Sequence, residues 1–161
     1  MAFRADTIWF DGTLVPWDDA KIHVLSHVVH YGSGAFEGMR LYRVGERSAV
    51  FRLDDHTKRL FDTCKIYRCD LPYSAEEINK AIIETVHANK LKEGYIRPLV
   101  FRGFGALGVN PFTCPVQVII ACWDWGKYLG DEALENGVSV CISSWARPAP
   151  NTFPSLAKAC G

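Results

Sequence analysis

Hydrophobic positions in this chain recur with two periods, and the periods separate strands from helices. Ile8 to Phe10 and Thr13 to Val15 flank Asp11-Gly12, a dipeptide suited to a tight reversal, and predict a hairpin. Ser26 to Tyr31 predicts a helical turn stopped by Gly32. Ala35 to Val44 predicts a strand, Gly45-Glu46-Arg47 a turn, and Ser48 to Arg52 the returning strand. Asp54 stands where it would cap a helix running to about Tyr67, with Leu60, Phe61 and Cys64 on one face. Ser74-Ala-Glu-Glu77 is a capping box, in which the serine hydroxyl and the glutamate satisfy N–H groups that a first helical turn leaves unpaired. Ile78, Ala81, Ile82, Thr85 and Val86 follow at helical spacing. Tyr95 to Arg102 and Val116 to Trp123 predict two further strands. The fold class expected is α+β, a mostly antiparallel sheet with helices packed on one side.

Past Trp125-Gly-Lys-Tyr-Leu-Gly130 the character changes. A short polar helix, an alternating strand over Val138, Val140 and Ile142, and a loop with Pro148, Pro150 and Pro154 are expected. Ser155 to Gly161 reads as the opening of a helix. This divides the chain into a small domain over 1–130 and, over 131–161, a linker with the beginning of a second, larger domain.

Apolar residues make up 48% of the 161 positions and charged residues 22%, a balance suited to a packed core. Lys plus Arg and Asp plus Glu are 18 each, and the zero net charge argues against a general nucleic-acid binder. The longest apolar run, Val118 to Trp123, is far too short to span a bilayer, so no membrane partner is expected. The amino terminus lacks a secretion-like apolar stretch, so the expected address is cytoplasmic and the 6 cysteines are expected as reduced thiols.

Period two places Phe36, Gly38, Arg40 and Tyr42 on one strand face, and Tyr95, Arg97, Leu99 and Phe101 on another. Each face mixes aromatic groups with an arginine, whose charge needs water or an anion. One reading pairs each guanidinium with a carboxylate at the sheet edge. The other makes a pocket for a carboxylate-bearing small molecule, with Gly38 leaving room for it. Gly103-Phe-Gly105-Ala-Leu-Gly108 imitates a dinucleotide fingerprint, but Asn110-Pro111 and Pro115 leave no helix to follow it, so it is expected to be an exposed loop. His23, His27 and His30 could share a helix face, yet no long helix is signalled, and structural histidines are expected rather than a metal site. On residues alone, Lys158 reads as a solvated surface charge.

The blocks IWFDG near the start, SHVVHYGSGAFEGMR at 26–40, HTKRL at 56–60, YIRPLVF at 95–101, LGVNP at 107–111, WGKYLG at 125–130 and SSWARPAPNTFPSLAKACG at the end together resemble the bacterial branched-chain aminotransferases, pyridoxal-phosphate enzymes of fold type IV. The resemblance implies that Lys158 forms the Schiff base with pyridoxal 5′-phosphate and later carries a proton, and that Arg59 contacts the cofactor phosphate. It implies that Tyr95 helps hold the substrate α-carboxylate. Phe36, Gly38, Trp125 and Tyr128 would line the side-chain pocket. Arg97 would take the γ-carboxylate of glutamate, with Arg40 and Tyr31 nearby. Leu107 and Val109 would reach a neighbouring subunit's site, which implies at least a dimer.

The implied reaction moves an amino group from leucine, isoleucine or valine to 2-oxoglutarate, with amino acids and 2-oxo acids as small-molecule partners. Members of the family continue through a whole second domain after the lysine, whereas this sequence stops three residues beyond Lys158. The expectation is therefore an amino-terminal part of such an enzyme, inactive alone. Alternatives are a relative such as a D-amino-acid transaminase or an aminodeoxychorismate lyase, or a non-catalytic association domain.

Overall fold

The computed structural model describes residues 4–126 and 130–161. The expected hairpin is strands β1 (Thr7–Phe10) and β2 (Thr13–Pro16). Asp11 and Gly12 both hold positive φ between them, 43° and 96°, as a tight hairpin reversal demands. The Asp11 carboxylate also accepts from the Val118 N–H at 2.7 Å, which ties the turn to a distant strand. Helix α1 (His27–Tyr31) follows and ends at Gly32, in the left-handed region at φ 62°.

Two strands then stand where one was expected. β3 (Gly34–Phe36) and β4 (Met39–Val44) both pair antiparallel with β6 (Gly94–Arg102), in a register carried across the gap from Phe36↔Leu99 to Met39↔Ile96. The interruption at Glu37-Gly38 faces Pro98. Glu37 N–H donates to the Pro98 carbonyl at 2.9 Å, but proline has no N–H with which to return a bond. β5 (Arg47–Val50) ends before Phe51 and Arg52, which turn the chain into α2 (Leu53–Ile66). Asp54 does not cap that helix. The cap position is Arg52, left-handed at φ 51°, and Asp54 lies in the first turn, where its carboxylate accepts from Asn79 Nδ2 at 2.7 Å. An acid there still complements the positive helix end. Helix α3 (Ala75–Ala88) carries the capping box as expected.

The sheet, completed by β7 (Val116–Trp123), runs β2-β1-β7-β6-β4-β5, with β3 also on β6 and all its pairings antiparallel. Leu60 and Cys64 of α2 and Ile78, Ala81, Ile82 and Val86 of α3 bury against Met39, Leu41, Ile96, Val100, Val118, Ile120 and Cys122. Each large side chain so buried contributes about 1.5–3 kcal/mol. The fold is the α+β layer expected, with these helices on one face of the sheet. No helix among the described residues is long and apolar enough to cross a membrane.

Two later expectations need correction. Val138, Val140 and Ile142 form no strand and lie exposed after α4 (Asp131–Asn136); a strand needs a ladder partner, and none among the described residues reaches them. Ser155 to Gly161 is not a helix either. The chain turns at Ser155–Ala157 and then extends along β3, with Ala159 bridged antiparallel to Ala35.

Candidate active site

Opposite the helices, β3, β4 and β6 bring Phe36, Gly38, Tyr95 and Arg97 together. Gly38 sits beneath the Tyr95 phenol so closely that a Cβ there would lie 1.7 Å from Tyr95 Oη. Arg97 Nη2 donates to that same phenol oxygen at 3.2 Å. The guanidinium stands 4.8 Å from the Phe36 ring centroid and 5.3 Å from that of Tyr95. Trp125 meets Tyr95 edge-on at 4.4 Å, extending the aromatic wall. Arg97 Nε is buried and makes no hydrogen bond to a described residue, and no described carboxylate pairs with this guanidinium. A cation in such a setting calls for an anionic guest. Arg40, across from Tyr95 in the register, instead holds its guanidinium 5.8 Å from the Tyr42 ring.

Lys158 reaches the same face through its backbone. Its N–H donates to Thr63 Oγ1 on α2 at 3.1 Å, and its carbonyl accepts from the Phe36 N–H at 3.0 Å. The Cys160 N–H then donates to the Gly34 carbonyl at 2.9 Å. Lys158 Nζ lies 4.8 Å from the Phe36 ring centroid, so this one ring faces two cations. A cavity of about 670 Å³ borders the lysine, with Arg147, Phe153 and Ser155 also in its wall; that is within the size range of small-molecule sites. The lysine is half-buried rather than a free surface charge.

Arg59 stands one helical turn before Thr63 and is half exposed. Its Nε and Nη2 both donate to Glu37, the latter at 2.8 Å. Glu37 is wholly buried and also accepts from His56 Nδ1 at 2.9 Å and from the Gly38 N–H at 3.1 Å. Burial alone would raise this carboxyl, but the bonds from Arg59, His56 and Gly38 outweigh it and hold the group below its ordinary value. The bond to Glu37 likewise raises Arg59. Neither Glu37 nor Thr63 was among the candidates taken from sequence. For Glu37 a signal existed: it shares its strand parity with Ala35, Met39 and Leu41, all buried, and a carboxylate on a core-facing parity requires partners.

Tyr31, Leu107 and Val109 lie apart from this cluster, exposed and near one another in the fold. Buried His27 links them: it stacks on Tyr31 with centroids 4.4 Å apart, its Nδ1 bonds Ser33 Oγ at 2.7 Å, and its Nε2 bonds the Gly108 carbonyl at 3.0 Å. His30 bonds the Val24 carbonyl and His23 the Leu25 N–H, so each histidine has a structural partner. Only His27 and His30 lie on α1, so the three do not share one helix face. The glycine-bearing segment 103–108 is an irregular loop, as expected from Pro111 and Pro115, which follow it. Tyr128 lies outside the described residues.

Residues 34–161 match the family model for amino-transferase class IV. The chain belongs to the class IV aminotransferases. It is 48% identical over 159 residues to the branched-chain-amino-acid aminotransferase of Escherichia coli strain K12, covering 98% of this chain and 52% of that protein. The crystal structure of the Escherichia coli branched-chain enzyme superposes with a TM-score of 0.93 over 98% of this chain and 52% of that one. The branched-chain aminotransferase of Thermoproteus uzoniensis, a thermophilic archaeon, solved with norvaline, is 41% identical with a TM-score of 0.88, covering 98% and 52%. A further branched-chain aminotransferase structure, complexed with N-(5′-phosphopyridoxyl)-L-glutamate, is 41% identical with a TM-score of 0.89, covering 99% and 51%. The chain thus spans about half the length of these class IV relatives.

Proposed function

We propose that the protein carrying this segment is a branched-chain-amino-acid aminotransferase, which moves the amino group of leucine, isoleucine or valine to 2-oxoglutarate. One observation carries the reading: Arg97, without a carboxylate partner among the described residues, stands in an aromatic pocket on the same sheet face as Lys158. Such a pocket suits two guests. Its aromatic wall accepts a branched hydrocarbon, and its cation accepts a second carboxylate.

The residues present fit pyridoxal 5′-phosphate. A backbone-anchored amine stands beside an aromatic ring, and the arginine one turn of α2 away is half exposed. When bound, this cofactor supplies an aldehyde that condenses with amines and a conjugated ring that stabilises charge at the substrate α-carbon. Lys158 Nζ moves the proton at that carbon. Arg59 holds the phosphate. Tyr95, fixed over Gly38, orients the α-carboxylate, and Phe36, Gly38, Trp125 and Tyr128 enclose the side chain. Arg97 receives the γ-carboxylate of glutamate, while Arg40 and Tyr31 stand away from it in this chain, Arg40 at the Tyr42 ring and Tyr31 against His27. Leu107 and Val109 complete the site of a second copy, so the active unit is at least a dimer, and residues 131–161 begin a second domain. A cytoplasmic setting accords with the free thiols of the described cysteines.

Arg97→Leu tests this reading. Loss of a charge-assisted contact lowers kcat/KM for glutamate and 2-oxoglutarate by about 10- to 100-fold. Leucine should change only a few-fold, because it places no carboxylate there. Equal losses for both substrate types would overturn the assignment.

A further inference from the structure

Glu37 breaks the apolar pattern of the segment that carries it, and the break is expensive unless it serves something. A carboxylate taken out of water costs several kcal/mol unless its oxygens are satisfied. Here Oε1 accepts from Arg59 Nε, and Oε2 accepts from Arg59 Nη2, His56 Nδ1 and the Gly38 N–H. Since a carboxylate only accepts, His56 must carry its proton on Nδ1.

The pairing is bidentate, and it consumes one edge of the guanidinium, the Nε–Nη2 edge. Two of the three remaining N–H groups lie on the adjoining Nη1–Nη2 edge, and the Arg59 side chain is half exposed. A planar guanidinium held along one edge cannot rotate, so the direction of the other edge is set by Glu37. Glu37 is in turn held by its burial within the sheet and by its own N–H bond to the Pro98 carbonyl at 2.9 Å. The clamp is therefore built into the framework, not adapted by a loop.

We propose that Glu37 is a positioning residue that aims the open edge of Arg59 as a fork for a phosphate monoester, that of the pyridoxal cofactor. The inference rests on the reading of Arg59 as the phosphate contact and goes beyond it by naming what orients that contact. His56 assists by occupying the second oxygen of Glu37, which leaves the carboxylate no freedom to turn away from the arginine.

The experiment compares two aldehydes that differ only in the phosphate. The protein carrying this segment is stripped of cofactor and titrated by absorbance with pyridoxal 5′-phosphate and, separately, with pyridoxal. Arg59→Ala and Glu37→Gln should each weaken pyridoxal 5′-phosphate binding by about tenfold or more and leave pyridoxal within about twofold. If Arg59→Ala weakens the phosphorylated ligand and Glu37→Gln does not, Glu37 has no positioning role, although the reading of Arg59 survives. If Arg59→Ala weakens neither, the reading of Arg59 fails and takes this inference with it. Equal weakening of both aldehydes by Glu37→Gln marks a general structural defect and overturns the proposal. Should Glu37→Gln not fold, Arg59→Lys decides. Lysine keeps the charge but cannot be gripped along one edge while presenting another. Wild-type affinity for pyridoxal 5′-phosphate in that variant would refute the clamp, and a selective loss would support it.

Discussion

Thr63 Oγ1 accepts the backbone N–H of Lys158 at 3.1 Å, across 95 residues of chain. Thr63 is fully buried on α2, so the bond fixes the lysine's backbone against a helix rather than leaving it to a loop. The Phe36 N–H closes the other side, onto the Lys158 carbonyl.

Replacing Thr63 by valine keeps the shape and deletes the acceptor, leaving the Lys158 N–H unsatisfied. The expected cost is about 1–3 kcal/mol, read as a lower midpoint in thermal unfolding. Serine at the same position should retain most of the stability. A valine variant as stable as the wild type would show that the bond contributes nothing.

Gly38→Ala is expected to damage the pocket directly. Its Cβ would lie 1.7 Å from Tyr95 Oη, so the phenol must move and its bond from Arg97 must break. The expected loss in kcat/KM is on the order of tenfold or more, from displaced positioning groups. A second change, Tyr95→Ala, should relieve the stability loss caused by the alanine, because the clash disappears. Additive stability losses would argue against the clash.

The depressed Glu37 carboxyl makes stability depend on pH. Its folded value lies below the ordinary 4.5, so the unfolded chain binds the proton more readily. The contribution is fully present above about 4.5 and is lost as pH falls through the lower, folded value. Acid unfolding of Glu37→Gln should therefore show a shallower fall in stability below that pH than the wild type. Parallel acid limbs for the two proteins would contradict the depressed value.

His27→Ala should loosen the loop that bears Leu107 and Val109, because the Gly108 carbonyl and the Tyr31 ring both lose their partner. Amide hydrogen exchange over 103–110 is the measurement. Faster exchange there, with the β6 and β7 core unchanged, is expected; unaltered exchange would mean the loop is held elsewhere, for instance by Arg102 on the Pro111 carbonyl at 2.8 Å.

Much of the framework was legible because it follows from local rules. The capping box at Ser74, the Asp11-Gly12 reversal and the parity of β6 and β7 are each set by residues within one turn or one strand. The two arginine-bearing faces were legible for the same reason. Lys158 was singled out only through the resemblance, because nothing in its neighbours marks it. The α2 cap was misread by two residues, Arg52 rather than Asp54, and the 35–44 strand is interrupted opposite Pro98; the larger departures lie where partners far along the chain decide, residues 155–161 abandoning the expected helix for the edge of β3 and Val138 to Ile142 having no ladder among the described residues.

By itself, then, the sequence determined most of the order of strands and helices as far as β7, the face each presents, and which side chains of the sheet share a surface, because periodicity and turn chemistry act over a few residues. Only the tertiary structure decided that Arg97 lacks a carboxylate partner among the described residues while Arg59 has one, that Glu37 is buried yet satisfied, and that Lys158 meets Phe36 and Thr63. Those outcomes depend on which distant groups share a low-dielectric space, and hydrogen bonding and charge pairing there are settled by three-dimensional neighbours rather than by neighbours in the chain.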